Sequence, residues 1–193
     1  MQKGIKRLFD IIFASVAIIV LIPVWIIVSL WIALTSPGGV FFRQKRTGRD
    51  GKDFNMYKFR SMVVNDEADT LQAGSSDPRI TPVGRFIRQS SIDELPQLFN
   101  VIKGDMSIIG PRPHMVKHTE MYSELIPNYM ARHRMKPGLT GYAQIKGFRG
   151  ATPNVEDMQR RVDADNYYID HFSLWMDLKI LTQTILRMLC LKL

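Results

Sequence analysis

Apolar positions are unevenly spread along this chain. The first long signal is IIFASVAIIVLIPVWIIVSLWIAL, Ile11 to Leu34, which carries no charge. It exceeds the roughly 20 residues that cross a bilayer as a helix. A secretory signal peptide fits less well: the apolar run is too long, and no small-residue cleavage site follows it before the next basic run. Pro23 lies at the centre, where it removes a helix hydrogen bond and kinks the chain. Lys3, Lys6 and Arg7 precede the segment, and Arg43, Lys45, Arg46 and Arg49 follow it. Positive charge beside membrane segments stays on the cytoplasmic side, so a spanning helix would strand one cluster outside. A helix that enters, breaks near Pro23 and returns keeps both inside. Ile11 to Ile22 would reach about 18 Å, roughly half the hydrocarbon depth. The pattern predicts a re-entrant helix–break–helix over residues 1–36, with a plain spanning helix as the alternative, and a second unit over residues 37–193 on the cytoplasmic face.

Beyond the breaker SPGG, Ser36 to Gly39, the periodicity shortens. Two extended runs near Val40–Gln44 and Phe54–Phe59, around a Gly/Asp turn, predict a β-hairpin. Residues 63–72 read as a short polar helix, and GSSDPRITPVG as a loop. Leu95 to Ile102 reads as helix with Pro96 in the first turn. GDMSIIGPRP reads as irregular, His114 to Arg134 as helix interrupted near Pro127, and MKPGLTGYAQIKGFRGATP as a long loop. Thr152 and Pro153 read as N-cap and first residue of a helix reaching about Asp170. In SLWMDLKILTQTILRMLCLKL, Leu174, Leu178, Leu181, Ile185 and Met188 recur at helical spacing. That amphipathic helix covers a core or lies in a membrane interface. The predicted class is α+β, mostly helical.

Composition narrows the picture. The chain has 193 residues, 46% of them apolar, enough for one domain with a real core. The formal net charge of +8 points to a polyanionic partner: nucleic acid, an anionic membrane or phosphorylated substrates. A single cysteine excludes an internal disulfide framework, and no Cys/His pairs stand at zinc spacing. The spacings of His114/His118 and His133/His171 offer no third ligand, so these histidines read as surface or core residues.

The candidate chemistry lies in SSIDELPQLFN, where Asp93 and Glu94 are adjacent. Ser91-x-x-Glu94 fits a helix capping box. Pro96 would then fall inside the helix, where it cannot make its hydrogen bond; a helix beginning near Pro96 fits better. Cations surround the pair in sequence: Arg85 and Arg88 upstream, Arg112 between prolines in GPRP, Lys58 and Arg60 on the β-hairpin, Arg149 in a Gly-rich loop. Arginine forks grip phosphate oxygens in two places. Two acids among such cations suggest phosphoryl chemistry, one carboxylate attacking phosphorus and the other holding Mg²⁺.

KRLFDIIFA, FFRQKRTGRDGKDFNMYKFRSM, SSIDELPQLFNVIKGDMSIIGPRPH, HRMKPGLTGYAQIKGFRG and the DNYYI…SLWMDLKI ending together resemble the monotopic phosphoglycosyl transferases, also called bacterial sugar transferases. The resemblance spans nearly the whole chain. It implies transfer of a sugar-1-phosphate from a UDP-sugar to polyprenyl phosphate, giving polyprenyl diphosphate sugar and UMP, at the cytoplasmic face of a bacterial inner membrane. It implies Asp93 as nucleophile, Glu94 as the Mg²⁺ ligand, Arg88 and Arg112 on phosphate groups, and Lys58, Gln144, Arg149 and Asp165 elsewhere in the site. The family's membrane break is often Ser-Pro, whereas Ile22 precedes Pro23 here. GYAQIKGFRG and SLWMDLKI look nearest to members that load glucose- or galactose-phosphate in exopolysaccharide assembly. Those are often longer, so the chain is a short natural form or the catalytic part of a longer protein.

Two other readings stand beside this one. A membrane-tethered nucleic-acid module lacks support, because the basic residues are scattered among Gly/Pro loops and no recognition motif occurs. An inactive scaffold of a polysaccharide-assembly complex would not need Asp93, Glu94, Arg88 and Arg112 intact. The sugar and the oligomeric state, a homodimer being one option, are not readable from the sequence.

Overall fold

The computed structural model describes residues 2–64, 74, 77–150, 152 and 154–190. Two apolar helices open the chain, α1 (Gln2–Val20) and α2 (Ile22–Thr35), bent by 62° at the break between them. Pro23 falls in the first turn of α2, where its missing N–H leaves the Ile19 carbonyl without its helical donor. Among the described residues no single helix is long and apolar enough to cross a membrane, but this bent pair passes together.

Lys6, Asp10 and Ala14 recur every fourth residue and form the buried face of α1. The polar members of this face are paired. Lys6 Nζ donates to Asp177 Oδ2 at 2.7 Å, and Asp10 Oδ1 accepts from Ser107 Oγ at 3.0 Å and Ile108 N at 2.9 Å. Arg7 donates to the carbonyls of Val101 and Ile102 at 2.6 and 2.7 Å. Leu8, Ile12, Val16, Ile19 and Val20 stay exposed on the other face, as do Ile26, Ile27, Leu30 and Leu34 of α2. A contiguous apolar surface of this kind marks an interaction site.

The predicted β-hairpin forms and is longer than expected. Strands β1 (Phe41–Thr47) and β2 (Asp53–Phe59) pair antiparallel from Phe41↔Phe59 to Thr47↔Asp53. Polar Gln44 and Thr47 take inward positions in β1, so the apolar alternation stops early although the strand continues.

Helix α3 (Pro82–Gln89) begins with Thr81 as N-cap, its Oγ1 accepting from Gly84 N at 2.9 Å. It falls partly in the stretch read as loop. Only Val63 and Val64 of the expected 63–72 helix are described, and they are not helical. Helix α4 (Gln97–Lys103) starts after Pro96 as expected. Two unforeseen strands follow: β3 (Ser107–Ile109), and β4 (Gly138–Thr140) parallel to it. Between them lie α5 (Val116–Leu125) and a 3₁₀ turn, Tyr129–Arg134. The chain crosses closely where the strands meet: a Cβ on Gly110 would sit 2.4 Å from the Lys136 carbonyl oxygen.

After β4 come a short helix α6 (Tyr142–Ile145), then α7 (Val155–Asp170) and α8 (Leu174–Cys190). The expected Thr152–Pro153 start of α7 gives way to Asn154, whose side chain accepts from Asp157 N at 2.9 Å. In α8 Asp177 and Ile180 are buried, and of the predicted stripe Leu181 packs against the same core; Asp177 can be buried there because Lys6 and the Tyr168 hydroxyl satisfy its carboxylate. Trp175, Leu178 and Ile185 are exposed. The architecture is mostly helical α+β, with two small sheets among the described residues. The main core packs Leu98, Val101, Ile108, Ile109, Tyr168 and Ile180 around β3, and a second cluster joins α2, β2 and α3.

Asp10→Ala leaves the buried Ser107 hydroxyl and Ile108 N–H without an acceptor, and is expected to cost about 1–3 kcal/mol. Arg134→Ala, at an exposed pair with Asp170, is expected to cost under about 1 kcal/mol. Thermal denaturation of the two variants in one detergent compares them.

Candidate active site

Ser91 adopts φ +56, a left-handed conformation, and offers no cap hydrogen bond. The capping-box reading is therefore replaced by a tight 3₁₀ turn, Ile92–Glu94, set between α3 and α4. Ile92 and Leu95, on either side of the acids, pack against the α2 cluster of Val28 and Ile32. The turn thus buries its apolar residues against an apolar helix and turns Asp93 and Glu94 into a cleft of about 1080 Å³.

Burying two adjacent carboxylates requires cations. β2 supplies Lys58, whose Nζ lies 3.1 Å from Glu94 Oε1 and 3.8 Å from Asp93 Oδ2. The GPRP loop supplies Arg112, whose two terminal nitrogens reach both oxygens of Glu94. Burial pushes the Asp93 carboxyl up, with Lys58 opposing and Glu94 adding to the rise. Burial acts on Glu94 in the same sense, but Arg112 and Lys58 outweigh it and hold that carboxyl well below its usual range. One environment has pushed two neighbouring acids apart, the pattern that separates their roles.

The other expected residues distribute unequally. Arg88 and Arg85 line the same cleft, with no ion pair among the described residues. Arg149 also lines it and donates to Ser91 Oγ at 2.8 Å. Arg60 lines it too but spends its guanidinium on the Ser36 and Pro37 carbonyls, closing the end of α2. Gln144 and Asp165 are absent from the lining. Gln144 lies in α6, its Nε2 donating to the Leu139 carbonyl at 3.4 Å. Asp165 is buried in α7 and paired with Arg132.

Nothing in YMARHR marks Arg132 as the cation that turns inward. A signal existed on α7, where Arg161 and Asp165 interrupt the buried face of Met158, Val162 and Tyr168. A charge on a buried helix face needs a partner. His114 and His118 border the cleft, but His114 precedes α5 and shares no helix face with His118.

The donor set suits a divalent cation shared with substrate. Mg²⁺ is usually held by one or two carboxylates and completed by phosphates and water. Glu94 and Asp93 provide such carboxylates, and among the described residues no group of three or more His, Cys, Asp or Glu forms a self-sufficient site.

A family model described as bacterial sugar transferase matches residues 1–190. A UDP-glucose:undecaprenyl-phosphate glucose-1-phosphate transferase of Escherichia coli (strain K12) is 50% identical over 188 residues, covering 96% of this chain and 40% of the relative. One of the same name from Caulobacter vibrioides is 47% identical over 181 residues, 93% of this chain and 68% of the relative. The exopolysaccharide production protein PSS of Rhizobium leguminosarum bv. phaseoli is 43% identical over 190 residues, 96% of this chain and 95% of the relative. The chain spans about two fifths of the Escherichia coli relative but nearly all of the Rhizobium one.

Burial lowers the His114, His118 and His133 pKa values, His133 to about 4, with arginine neighbours adding to the shift. Unfolded histidine takes up a proton near 6.5. Between about pH 6.5 and 4 the unfolded state therefore binds more protons, and stability falls as pH falls. The thermal midpoint is expected to drop across that window, and His133→Gln to flatten the drop.

Proposed function

Because the chain belongs to the bacterial sugar transferase family, we propose that it moves a sugar-1-phosphate from a UDP-sugar to polyprenyl phosphate. Two of the relatives named above are glucose-1-phosphate transferases using undecaprenyl phosphate, which supports UDP-glucose as donor, with UDP-galactose as the alternative. The observation that carries the reading is the buried Asp93–Glu94 pair, held by Lys58 and Arg112 in a cleft bordered by further arginines.

In the proposed mechanism Arg112, Arg88 and Arg149 bind and orient the diphosphate. An Asp93 carboxylate oxygen attacks the sugar-bearing phosphorus. The new P–O bond to Asp93 forms as the P–O bond to UMP breaks, and UMP leaves with that electron pair. A phosphate oxygen of the lipid then attacks the same phosphorus, the bond to Asp93 breaks, and the carboxylate is regenerated. Attack requires ionised Asp93, and Lys58, 3.8 Å away, favours that form. Glu94 would hold Mg²⁺, which would neutralise phosphate charge as the bonds exchange.

The same turn supports a location at the membrane surface. Ile92 and Leu95 pack on α2, so Asp93 stands beside the apolar helix pair. We read residues 1–36 as a re-entrant element in the cytoplasmic leaflet of a bacterial inner membrane and residues 37–193 as the catalytic domain beneath it. A lipid phosphate at that surface would lie within reach of Asp93.

Asp93→Asn is expected to abolish UMP release from UDP-glucose with undecaprenyl phosphate and Mg²⁺. Near-normal turnover in that variant would remove Asp93 as nucleophile. Thiol labelling of Gln2→Cys in intact cells is expected to fail with an impermeant reagent; labelling from the periplasm would exclude the re-entrant topology.

A further inference from the structure

A guanidinium can be aimed only if its backbone is fixed, and Arg112 stands between two prolines that have no N–H to anchor. The handle is its carbonyl. Arg132 Nη2 donates to the Arg112 carbonyl oxygen at 2.7 Å. Arg132 is itself held by Asp165: Nε and Nη2 both donate to Oδ2, at 3.1 and 2.6 Å. The two side chains are 1% and 2% exposed, and neither borders the cleft. The Tyr129 ring lies 5.5 Å from the Arg132 guanidinium carbon. On the other side of the loop, the Pro111 carbonyl accepts from Gly138 N at 2.9 Å.

Stability alone does not account for the pair. Withdrawing two charges from water costs more than their attraction commonly returns, and well-packed apolar residues of similar volume often serve as well or better. What an apolar pair could not do is donate a hydrogen bond to the Arg112 carbonyl.

We propose that Arg132 and Asp165 are positioning residues, holding the Arg112 backbone so that its guanidinium stays aimed at Glu94 and at the substrate phosphate. Asp165 then acts two bonds of contact away from the chemistry and touches no substrate. This rests on the phosphoryl-transfer reading above, in which Arg112 and Glu94 work at the reacting phosphate.

The test separates fold from aim. Arg132→Met/Asp165→Leu replaces the ion pair with apolar groups of similar bulk. It is expected to keep a thermal midpoint near wild type while kcat for UMP release, per folded protein, falls about 10- to 100-fold with little change in KM. Recovery of turnover along with the midpoint would show the pair to be structural only. Arg132→Lys, which keeps a donor for the carbonyl, is expected to retain several-fold more turnover per folded protein than Arg132→Met; equal values would overturn the proposal even if the double variant folds poorly. A crystal structure of Asp165→Asn reads the geometry without turnover: the Arg112 guanidinium is expected to leave Glu94 in an otherwise intact fold, and an unmoved guanidinium would refute the positioning role. Wild-type protein without UMP release, together with a displaced guanidinium in that variant, would contradict the transfer reading and leave the positioning role standing.

Discussion

Two adjacent carboxylates cannot be buried unless cations are delivered to them, and much of this fold can be understood as that delivery. Asp93 and Glu94 sit in a turn too tight to hold a cation of its own. Lys58 therefore comes from the hairpin strand β2, and Arg112 from the loop that follows β3. Their separation in sequence means that the site exists only when hairpin, loop and turn are packed together. The uneven result, Glu94 held ionised and Asp93 pushed up by burial, would let two like residues take the different parts proposed for them.

The loop carrying Arg112 is anchored at both ends. On the side of the apolar helix pair, Asp10 of α1 accepts hydrogen bonds from Ser107 and Ile108 of β3, which leads directly into GPRP. On the domain side, Arg132 takes the Arg112 carbonyl and Asp165 secures Arg132. A hydrogen-bonded step from Asp10 to β3, then the chain itself, thus joins the buried face of α1 to the guanidinium that faces the acids. The apolar helix pair and the site geometry are coupled through a few buried polar contacts, each costly to break.

Where a local period dominates, the sequence shows the structure. The break at Pro23, the β-hairpin, the start of α4 after Pro96 and the C-terminal helix all carry apolar spacing or a proline signal that no distant contact reverses. β3 and β4 are three residues each and pair across nearly thirty positions, so neither shows a period of its own. The same limit applies to the site. The acid pair and the cations Lys58, Arg112, Arg88 and Arg149 stand out by type and by neighbouring Gly and Pro, and the structure brings them to one cleft. Whether a charge lies in the cleft or beneath it is decided by tertiary packing. That is why Asp165 and Gln144 lie away from the lining and why Arg132, a buried arginine in an unremarkable stretch, was invisible.

The proposed transfer requires Asp93 to become covalently bonded to the sugar phosphate. Mixing the wild-type protein with UDP-glucose and Mg²⁺ in the absence of lipid acceptor, quenching, and measuring intact and peptide masses tests it most directly. One added hexose phosphate is expected, located on the peptide containing Asp93 and lost when polyprenyl phosphate is supplied. An unmodified protein under conditions where it turns over with lipid present, or an adduct on another residue, would contradict it.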